Sequence, residues 1–284
     1  MNLMYRRWWW FLVSLLLAST CFQASAQPIA LRYGQAFSVT TSIFSLPIAI
    51  AEREGLFRRE GLDFRVVVLI PGGSDKMIDA LHDDTVDITH VATPYLVSSA
   101  LAGSDAVAIA AEFNNPIYSL VARPEIRNYA DLKGKLLGLA DEKGSITLSM
   151  RKLLALKGLR AGDTSVKIIE GTGARLTCLK RGECAAVPLG QPQDLQAQSE
   201  GYRLLGISTE SVPQLLYTVT AVRRSWAAAH KDALVRYVRA LAGAFRFIRD
   251  PSKRDTVTKT IMDTTGVSAA IAATVSGGNQ ISAP

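Results

Sequence analysis

Small hydroxyl and glycine residues recur where a predicted strand gives way to a predicted helix. Ser145 follows Gly144, Ser74 follows Gly73, and Thr93 stands before a proline at a third such point. The amino end of a helix offers free N–H groups and a partial positive charge, and glycine lets a ligand approach the backbone closely. The pattern predicts that helix amino ends hold a small anionic or polar solute. Each hydroxyl taken alone could equally be a helix cap that needs no ligand.

A wider set of candidate ligand-binding residues joins these positions to groups near the first predicted helix, at a later turn and in a late loop. Phe44 would form an apolar wall, Gln191 would orient a polar group of the ligand, and Asn115 could be a hinge turn, a contact or both. The set consists of Ser42, Phe44, Ser45, Gly73, Ser74, Thr93, Asn115, Ser145, Thr147 and Gln191. Ser45 is also the predicted cap of the first helix, whose first turn contains a proline.

Two basic side chains have two possible roles each. His90 ends a predicted strand, where it is either a satisfied structural histidine or a ligand contact. Arg175 stands at a predicted helix start, where it either meets an anionic group or is solvated. The residues alone leave both questions open.

Patterns for catalysis and metal binding are missing from the sequence. No Ser-His-Asp set or pair of carboxylates can be assembled, and His82, His90 and His230 lie far from one another and from the cysteines. The Gly-Thr-Gly segment at 171–173 lacks the lysine of a P-loop. We therefore expect a binding protein and not an enzyme, with no metal and no cofactor.

Strand-like and helix-like segments alternate along the chain. The β-branched run at 66–68 predicts a buried strand, and the apolar spacing from Leu234 to Ile248 predicts a long helix with one buried face. Predicted strands cover 31–33, 63–69, 86–90, 107–111, 117–122, 136–140, 166–169, 185–189 and 216–222, and predicted helices include 145–156, 174–180 and 227–249. Such alternation indicates sheets with helices on their faces.

The alternation stops and restarts once, which divides the chain into two α/β units. Strand-like segments near 112–122 and 211–221 connect them. Two connections allow the units to close about a hinge around a ligand. We predict one lobe formed by 27–114 together with 215–284 and a second lobe formed by 115–214.

The amino end has the pattern of a signal peptide. Two arginines precede an apolar run at 8–18, and the Ala-Ser-Ala at 24–26 matches a cleavage site. The run is shorter than the roughly 20 residues that a membrane span needs. Residues 1–26 are therefore predicted to be removed on export, with a membrane anchor and a lipoprotein attached at Cys21 as alternatives.

Charge and cysteine content narrow the class further. The chain has 32 basic and 25 acidic residues, and the positive excess is spread out instead of forming a basic stripe, so nucleic acid is not the expected partner. Cys178 and Cys184 are the cysteines that follow the predicted cleavage site. Export would permit a disulfide between them, and a reduced pair is equally compatible with the sequence.

Several short motifs, taken in order, resemble one known family. Residues 44–57 read FSLPIAIAEREGLF, residues 60–62 read EGL, residues 129–135 read YADLKGK, and Gly144-Ser145 matches a ligand loop. The combination resembles periplasmic substrate-binding proteins of ABC importers for nitrate, alkanesulfonates and taurine, the NMT1/THI5-like group. The resemblance covers about residues 30–250.

This resemblance implies a type II periplasmic-binding-protein fold, an α/β fold of two lobes. Each lobe would be a mostly parallel sheet flanked by helices, and two hinge crossings would join the lobes. The implied function is the solute-binding component of an ABC importer, which captures a small organic solute such as a sulfonate, nitrate or carboxylate by hinge closure. The implied partners are that ligand and a permease–ATPase complex, and the implied protein is a periplasmic monomer.

Two features depart from the family pattern. The last loop of the second lobe reads Leu-Gly-Gln-Pro at 189–192, where the family often has an acidic or aromatic residue before the proline. Relatives also usually extend further at the carboxyl end, so a shortened end is expected here. An enzyme on the same scaffold, similar to thiamine-pyrimidine synthases or decarboxylase-like relatives, and a periplasmic ligand sensor are the alternative functions.

Overall fold

The computed structural model describes residues 27–36, 39–69, 73–115 and 117–277. The predicted signal peptide at 1–26 lies outside the described residues. Within them, no helix combines the length and the apolar composition that crossing a membrane would require.

The strands of the described residues form two five-stranded sheets. They are β1 (Ile29–Ala36), β2 (Leu62–Leu69), β3 (Ile88–Ala92), β4 (Ala106–Phe113), β5 (Tyr118–Ala122), β6 (Leu136–Leu139), β7 (Ser165–Ile168), β8 (Ala186–Gly190), β9 (Arg203–Ile207) and β10 (Thr218–Arg223). The first sheet has the order β2-β1-β3-β10-β4, and the second has the order β7-β6-β8-β5-β9.

The first sheet contains strands from both ends of the chain. After β4 the chain builds the whole second sheet, and β10 then returns to lie between β3 and β4. The chain therefore passes between the sheets twice, which confirms the predicted two-lobed α/β fold. Both sheets are mixed, because β10 runs antiparallel to both of its neighbours and β5 does the same in the second sheet.

Helices cover the faces of both sheets. They are α1 (Leu46–Arg53), α2 (Leu56–Arg59), α3 (Ser74–His82), α4 (Thr93–Leu101), α5 (Ser145–Leu156), α6 (Thr172–Lys180), α7 (Gln193–Ser199), α8 (Arg224–Ala229), α9 (Lys231–Arg249), α10 (Arg254–Thr265) and α11 (Ala269–Gly277). The helix predicted at 145–156 matches α5 in full. The helix predicted at 227–249 is instead two helices, α8 and α9, separated at His230.

Two strands differ from the sequence-based prediction. The run at 66–68 was expected to be buried, but β2 is an edge strand and Val68 is 41% exposed. β9 was not predicted. It is an edge strand of the second sheet, and its residues Arg203 and Leu204 are exposed. Edge strands pair on one side only, so burial patterns derived from central strands do not describe them.

Aromatic side chains pack the helices of the first lobe against its sheet. The rings of Phe57 on α2 and Phe64 on β2 stack with centroids 3.7 Å apart. Tyr237 on α9 lies 5.9 Å from the Phe57 ring and 6.3 Å from the Phe64 ring. These contacts hold α9 and α2 against the face of the first sheet opposite α3.

A disulfide joins Cys178, near the end of α6, to Cys184, just before β8. Both cysteines are buried. The structure thus decides a question that the sequence left open. The bond ties the carboxyl end of α6 to the second sheet.

Candidate functional site: the cleft between the lobes

A cavity of about 100 Å³ lies between the two lobes. It is placed at the carboxyl ends of strands, since Ala36 ends β1, Ala92 ends β3 and Ala140 follows β6. Open α/β sheets bind ligands at this edge. The polar groups of the wall include Ser74, His90 and Thr218 from the first lobe and Ser145, Thr172 and Arg175 from the second.

Three helices begin at the cavity with a glycine as their N-cap residue. Gly73 precedes α3, Gly144 precedes α5 and Gly171 precedes α6, and none of these ends has a side-chain cap. The first N–H groups of a helix have no partner within the helix. Uncapped helix ends that meet at one cavity form a ready site for a negatively charged group.

The loop before α5 is shaped by Asp141. The Gly144 N–H donates to Asp141 Oδ1 at 2.6 Å, and a Cβ added at Gly144 would collide with the same carboxylate. The hydroxyl of Thr147 donates to the Asp141 carbonyl at 2.8 Å. Burial raises the pKa of Asp141 above its ordinary value, although hydrogen bonds from Gly144 and Thr147 act in the opposite direction. Thr147 therefore supports the loop from behind and is not part of the cavity wall.

Arg175 is a fully buried cation in the wall of the cavity, only 2% exposed. Its Nε donates to the Pro188 carbonyl at 2.7 Å, one terminal nitrogen donates to the Ile169 carbonyl at 3.0 Å, and the other donates to the Thr172 hydroxyl at 3.1 Å. A guanidinium carries five N–H donors, so two remain after these three bonds. Burial lowers the pKa of Arg175, while Tyr118, Tyr217 and Asp141 act in the opposite direction.

No carboxylate forms an ion pair with Arg175 in the part of the chain that the structure describes. The guanidinium lies over the Tyr118 ring, 6.0 Å from its centroid. The interpretation of Arg175 as a solvated surface cation is therefore wrong. Its remaining charge and donors point to a site for an anion.

Unpartnered hydroxyls accompany this cation. Ser145 Oγ and Thr218 Oγ1 are buried without a hydrogen-bond partner, and both residues line the cavity. Thr93 Oγ1 is also buried and unpartnered, one residue beyond Ala92 of the wall. A buried hydroxyl without a partner is unfavourable by roughly 1–3 kcal/mol, so a ligand that bonds to it recovers that free energy.

Carboxylates stand at the mouth of the cavity. Asp75 and Glu170 are exposed, and they belong to opposite lobes. A Cβ added at Gly73 would lie 2.9 Å from Asp75 Oδ1 and 3.8 Å from Glu170 Oε1, so the two lobes approach each other here. Burial, and then the negative charges of Asp141, Asp75, Glu170 and Glu142, raise the pKa of Tyr95 to about 12. The mouth of the cavity is thus negatively charged, whereas its inner wall contains the buried positive charge of Arg175.

His90 forms part of a buried polar network in the first lobe. Its Nδ1 lies 2.8 Å from Glu112 Oε2, and the Thr220 hydroxyl donates to Glu112 Oε1 at 2.5 Å. Glu112 is 1% exposed, and the His90 side chain is 10% exposed in the cavity wall. His90 is therefore both satisfied from behind and placed at the cleft.

An aromatic cluster stands behind the cavity where the two lobes meet. Phe44 lies 4.8 Å from Phe113, 5.8 Å from Tyr118 and 5.1 Å from Tyr217, measured between ring centroids. Tyr118 and Tyr217 line the cavity, whereas the buried Phe44 packs behind them. Phe44 thus supports the wall instead of forming its surface.

The serines near the first helix bond within their own segment. Ser42 Oγ accepts from the Phe44 N–H at 3.4 Å, and Ser45 Oγ donates to the Ser42 carbonyl at 2.8 Å. Ser45 makes no side-chain cap at the start of α1, so that prediction is wrong, and Ser42 is the residue that caps the short turn before it. Neither serine is in the cavity wall.

Two hydrogen bonds connect this segment to the second lobe. The Ile43 N–H donates to the Gln191 carbonyl at 3.1 Å, and Gln193 Nε2 donates to the Thr41 carbonyl at 2.8 Å. Gln191 is thereby placed at a contact between the lobes, through its backbone. We call this pair of bonds, between Thr41–Ile43 and Gln191–Gln193, the interlobe latch.

Asn115 lies between the two crossings. With the amide turned so that its nitrogen faces them, Asn115 donates to the carbonyls of Asn114 and Pro213, both at 2.9 Å. It therefore ties the outgoing crossing to the returning one and is not part of the cavity wall. Of the ten candidate residues, Gly73, Ser74 and Ser145 line the cavity, and Thr93 adjoins it.

Several residues of the wall were not among the candidates. Thr172 follows Gly171 at a helix start, the same pattern as Gly144-Ser145, and that repetition could have identified it. Tyr217, just before β10, and Thr218, its first residue, also line the cavity, and although a strand was predicted at 216–222, no local motif marks either residue as part of a site. No cluster of ligating side chains that could hold a metal ion occurs among the described residues.

The model of the family described as NMT1/THI5 like matches residues 44–254, most of the chain. This protein belongs to the NMT1/THI5-like family. One curated relative of this chain, "Putative binding protein YtlA" of Bacillus subtilis (strain 168), is 25% identical over 232 residues, which are 79% of this chain and 68% of the relative.

Solved structures share the fold of this NMT1/THI5-like chain. The alkanesulfonate-binding protein SsuA from Xanthomonas axonopodis pv. citri, bound to MOPS, has a TM-score of 0.73 and 19% identity, with 88% of this chain and 84% of that chain covered. The periplasmic nitrate-binding protein NrtA from Synechocystis PCC 6803 has a TM-score of 0.73 and 14% identity, with 89% and 71% covered. The periplasmic aliphatic sulphonate binding protein SsuA from Escherichia coli has a TM-score of 0.68 and 21% identity, with 87% and 82% covered.

Proposed function

We propose that this protein is the solute-binding component of an ABC importer and that it captures a small solute through an anionic group. Arg175 carries the proposal, because it is a buried guanidinium without a carboxylate partner in the wall of the interlobe cavity. A buried charge without a counter-ion lowers the stability of the folded protein, and an anionic ligand that pairs with it would offset that free-energy cost. The unpartnered hydroxyls of Ser145 and Thr218 support the same occupant.

The size and charge of the cavity support one class of solute. A cavity of about 100 Å³ favours a small head group such as a sulfonate, nitrate or carboxylate. The exposed carboxylates of Asp75 and Glu170 would repel a second negative charge at the mouth. We therefore expect monoanions to bind more tightly than dianions of similar size.

Delivery to a transporter follows from closure of the two lobes. A ligand that bonds to Arg175 from the second lobe and to Thr218 from the first would favour the closed state, which a permease–ATPase complex can recognise. The names of the relatives, which include binding proteins for sulfonates and nitrate, support this role. The proposed location is the periplasm, after removal of residues 1–26, and the proposed state is a monomer. Neighbouring genes for a permease and an ATPase would distinguish an importer component from a sensor.

Binding without catalysis is the favoured reading of the cleft. An enzyme of the thiamine-pyrimidine type would need a reactive cysteine beside its histidine, and Cys178 and Cys184 are joined in a disulfide away from the cavity wall. Conversion of a bound solute by the purified protein would contradict the proposal.

Thermal shift and calorimetry on the chain without residues 1–26 test this function. The panel contains nitrate, formate, acetate, methanesulfonate and ethanesulfonate, with sulfate as a dianion. At 100-fold excess over its dissociation constant, a ligand should stabilise the protein by about 2.7 kcal/mol.

The matched variants are Arg175→Gln, in the cavity, and Arg181→Gln, at the exposed end of the same helix. We expect the first to lose the ligand-induced shift and the second to keep it. Absence of any shift in the wild-type protein, or an unchanged shift in Arg175→Gln, would contradict anion capture.

A further inference from the structure

We propose that His90 is a ligand contact whose protonation is coupled to anion capture, and that Glu112 holds it in place for this role. The inference rests on the proposed function and deepens it, since it adds a proton to the binding equilibrium. The network of His90, Glu112 and Thr220 carries the argument.

Each carboxylate oxygen of Glu112 needs a hydrogen-bond donor. It is 1% exposed, and the Thr220 hydroxyl occupies one oxygen while His90 occupies the other. Among the described residues, no lysine or arginine forms an ion pair with it. Buried carboxylates require paired donors, so His90 is the group that supplies the second one.

This arrangement determines which nitrogen of the His90 ring is left without a protein partner. With Nδ1–H donating to Glu112, Nε2 is the remaining polar atom of the ring, and it has no protein partner within the described chain. The ring itself lies in the cavity wall. In the neutral ring Nε2 accepts a hydrogen bond, and in the protonated ring it donates one. One proton therefore turns this contact from one that repels an anion into one that binds it.

Other titratable groups surround the network. Tyr33 of β1 and Tyr237 of α9 face it within the first lobe, and burial together with the charge of Glu112 raises the pKa of both well above the ordinary value. Both tyrosines thus remain neutral at physiological pH. The charged or titratable groups on the other elements around it are Glu52 of α1, Asp75 of α3, Tyr95 of α4 and, across the cavity, Asp141, Glu170 and Arg175.

Linkage gives the sign of the effect. The bound anion stabilises the protonated imidazole, so the complex holds one proton that the free protein has lost at higher pH. The proton comes from solvent, and its positive charge is balanced by that of the anion. Affinity is then full at low pH and falls as pH rises through the titration of the free protein, by at most about tenfold per pH unit for one proton.

The first test is the tautomer of His90 in the ligand-free protein. The sequence contains three histidines, so ¹⁵N imidazole resonances can be assigned with His82→Gln, His90→Gln and His230→Gln. We expect the neutral His90 ring to carry its proton on Nδ1. A proton on Nε2 would overturn the proposal, because Glu112 would then have no donor from the ring.

The second test is calorimetry with nitrate and methanesulfonate between pH 5.5 and 8 in buffers of different ionisation enthalpy. We expect the wild-type protein to take up as much as one proton per anion at the upper end and to lose about tenfold in affinity per pH unit there. His90→Gln should bind with a much flatter pH dependence, and the exposed control His82→Gln should match the wild type.

Two further variants separate the sources of the pH dependence. Glu112→Gln should move the loss of affinity to lower pH, because the protonated ring loses its carboxylate partner. Asp141→Asn removes another titratable group of the cavity. It should leave unchanged the part of the pH dependence of affinity that is lost in His90→Gln. Equal slopes in wild type and His90→Gln would overturn the proposal while leaving anion capture intact. Failure of both anions to bind at every pH would overturn the proposed function and this inference together.

Discussion

The two lobes present different kinds of wall to the cleft. In the first lobe, Ser74 Oγ accepts from the Ala92 N–H at 3.0 Å and His90 is held by Glu112, while the hydroxyls of Thr93 and Thr218 are unpartnered and no cation is fully buried in the wall that the structure describes. The second lobe instead keeps Arg175 and Ser145 with unused hydrogen-bonding capacity in a buried position. We infer that the second lobe supplies the permanent positive charge for the anion and that the first lobe supplies hydroxyl and imidazole contacts that close on it.

The largest expected contrast is between removal of Glu112 and removal of Arg175. Glu112→Ala leaves the His90 ring and the Thr220 hydroxyl without their buried partner, and the loss of these two hydrogen bonds should lower the free energy of unfolding by about 3 kcal/mol. Arg175→Met removes a buried charge that has no carboxylate partner, and the relief of that desolvation offsets part of the loss of its hydrogen bonds to Pro188, Ile169 and Thr172, so its free energy of unfolding without ligand should fall by less than that of Glu112→Ala. Urea denaturation measures both, and equal losses would contradict the contrast between the walls.

A second contrast concerns the disulfide, which braces the second lobe. Replacing Cys178 and Cys184 by alanine opens a short loop and should lower the free energy of unfolding by about 2 kcal/mol. Hydrogen exchange should increase in α6 and β8, while β1 to β3 keep their protection. A uniform increase across both sheets would show that the lobes do not respond independently.

Ser145 and Ser74 form a matched pair of hydroxyls, one on each wall. Ser145→Ala removes a buried unpartnered hydroxyl, so the unliganded protein should be at least as stable as wild type, while anion binding weakens by about tenfold. Ser74→Ala removes the acceptor of the Ala92 N–H and should lower the free energy of unfolding by about 1 kcal/mol. Chemical denaturation and calorimetry on both variants check the pair, and the reverse assignment of effects would count against it.

The smallest expected effect is a pH dependence set by a buried carboxylate of the second lobe. Burial raises the pKa of Asp194 in the folded protein, although hydrogen bonds from Ser119 and Leu195 oppose the shift. The folded state therefore binds more protons than the unfolded state above the unfolded value of about 3.9, and stability falls as pH rises through the folded value. Asp194→Asn should show a smaller fall between pH 4 and 7 in urea denaturation.

Asp105 is the control for that measurement in the first lobe. Hydrogen bonds from Ser225 lower the pKa of Asp105, so the stability that it contributes is present above the unfolded value and is lost as pH falls through the lowered one. Asp105→Asn should therefore change the acid side of the profile and leave the range from pH 4 to 7 alone. Identical profiles for the two variants would contradict the assignment of opposite shifts.

Local sequence signals predicted the elements that begin or end at glycine or proline. The bounds of α5 follow from Gly144 and the apolar spacing after it, and Gly55 ends the first helical segment with a φ of 64°. The edge strands β2 and β9 were mispredicted or missed because their exposure depends on strand order. Strand order is set by contacts between distant segments, which no local window of sequence contains.

The same distinction divides the candidate site. Gly73, Ser74 and Ser145 could be placed at the cleft because helix starts after strands are visible in the sequence. The burial of Arg175 could not, since its acceptors Pro188 and Ile169 are brought to it by the arrangement of the second sheet. Residues that meet through topology need the fold before they can be recognised.

The position of β10 also has a consequence for how the molecule is made. During synthesis the second lobe emerges as one continuous stretch, whereas the first lobe waits for β10, which follows residues 114–217 and must enter between β3 and β4. Closing so long a segment slows assembly, and until it happens β3 and β4 lack a common neighbour. The first lobe is thus expected to be the last part of the nascent chain to become native, and that order is compatible with the proposed export.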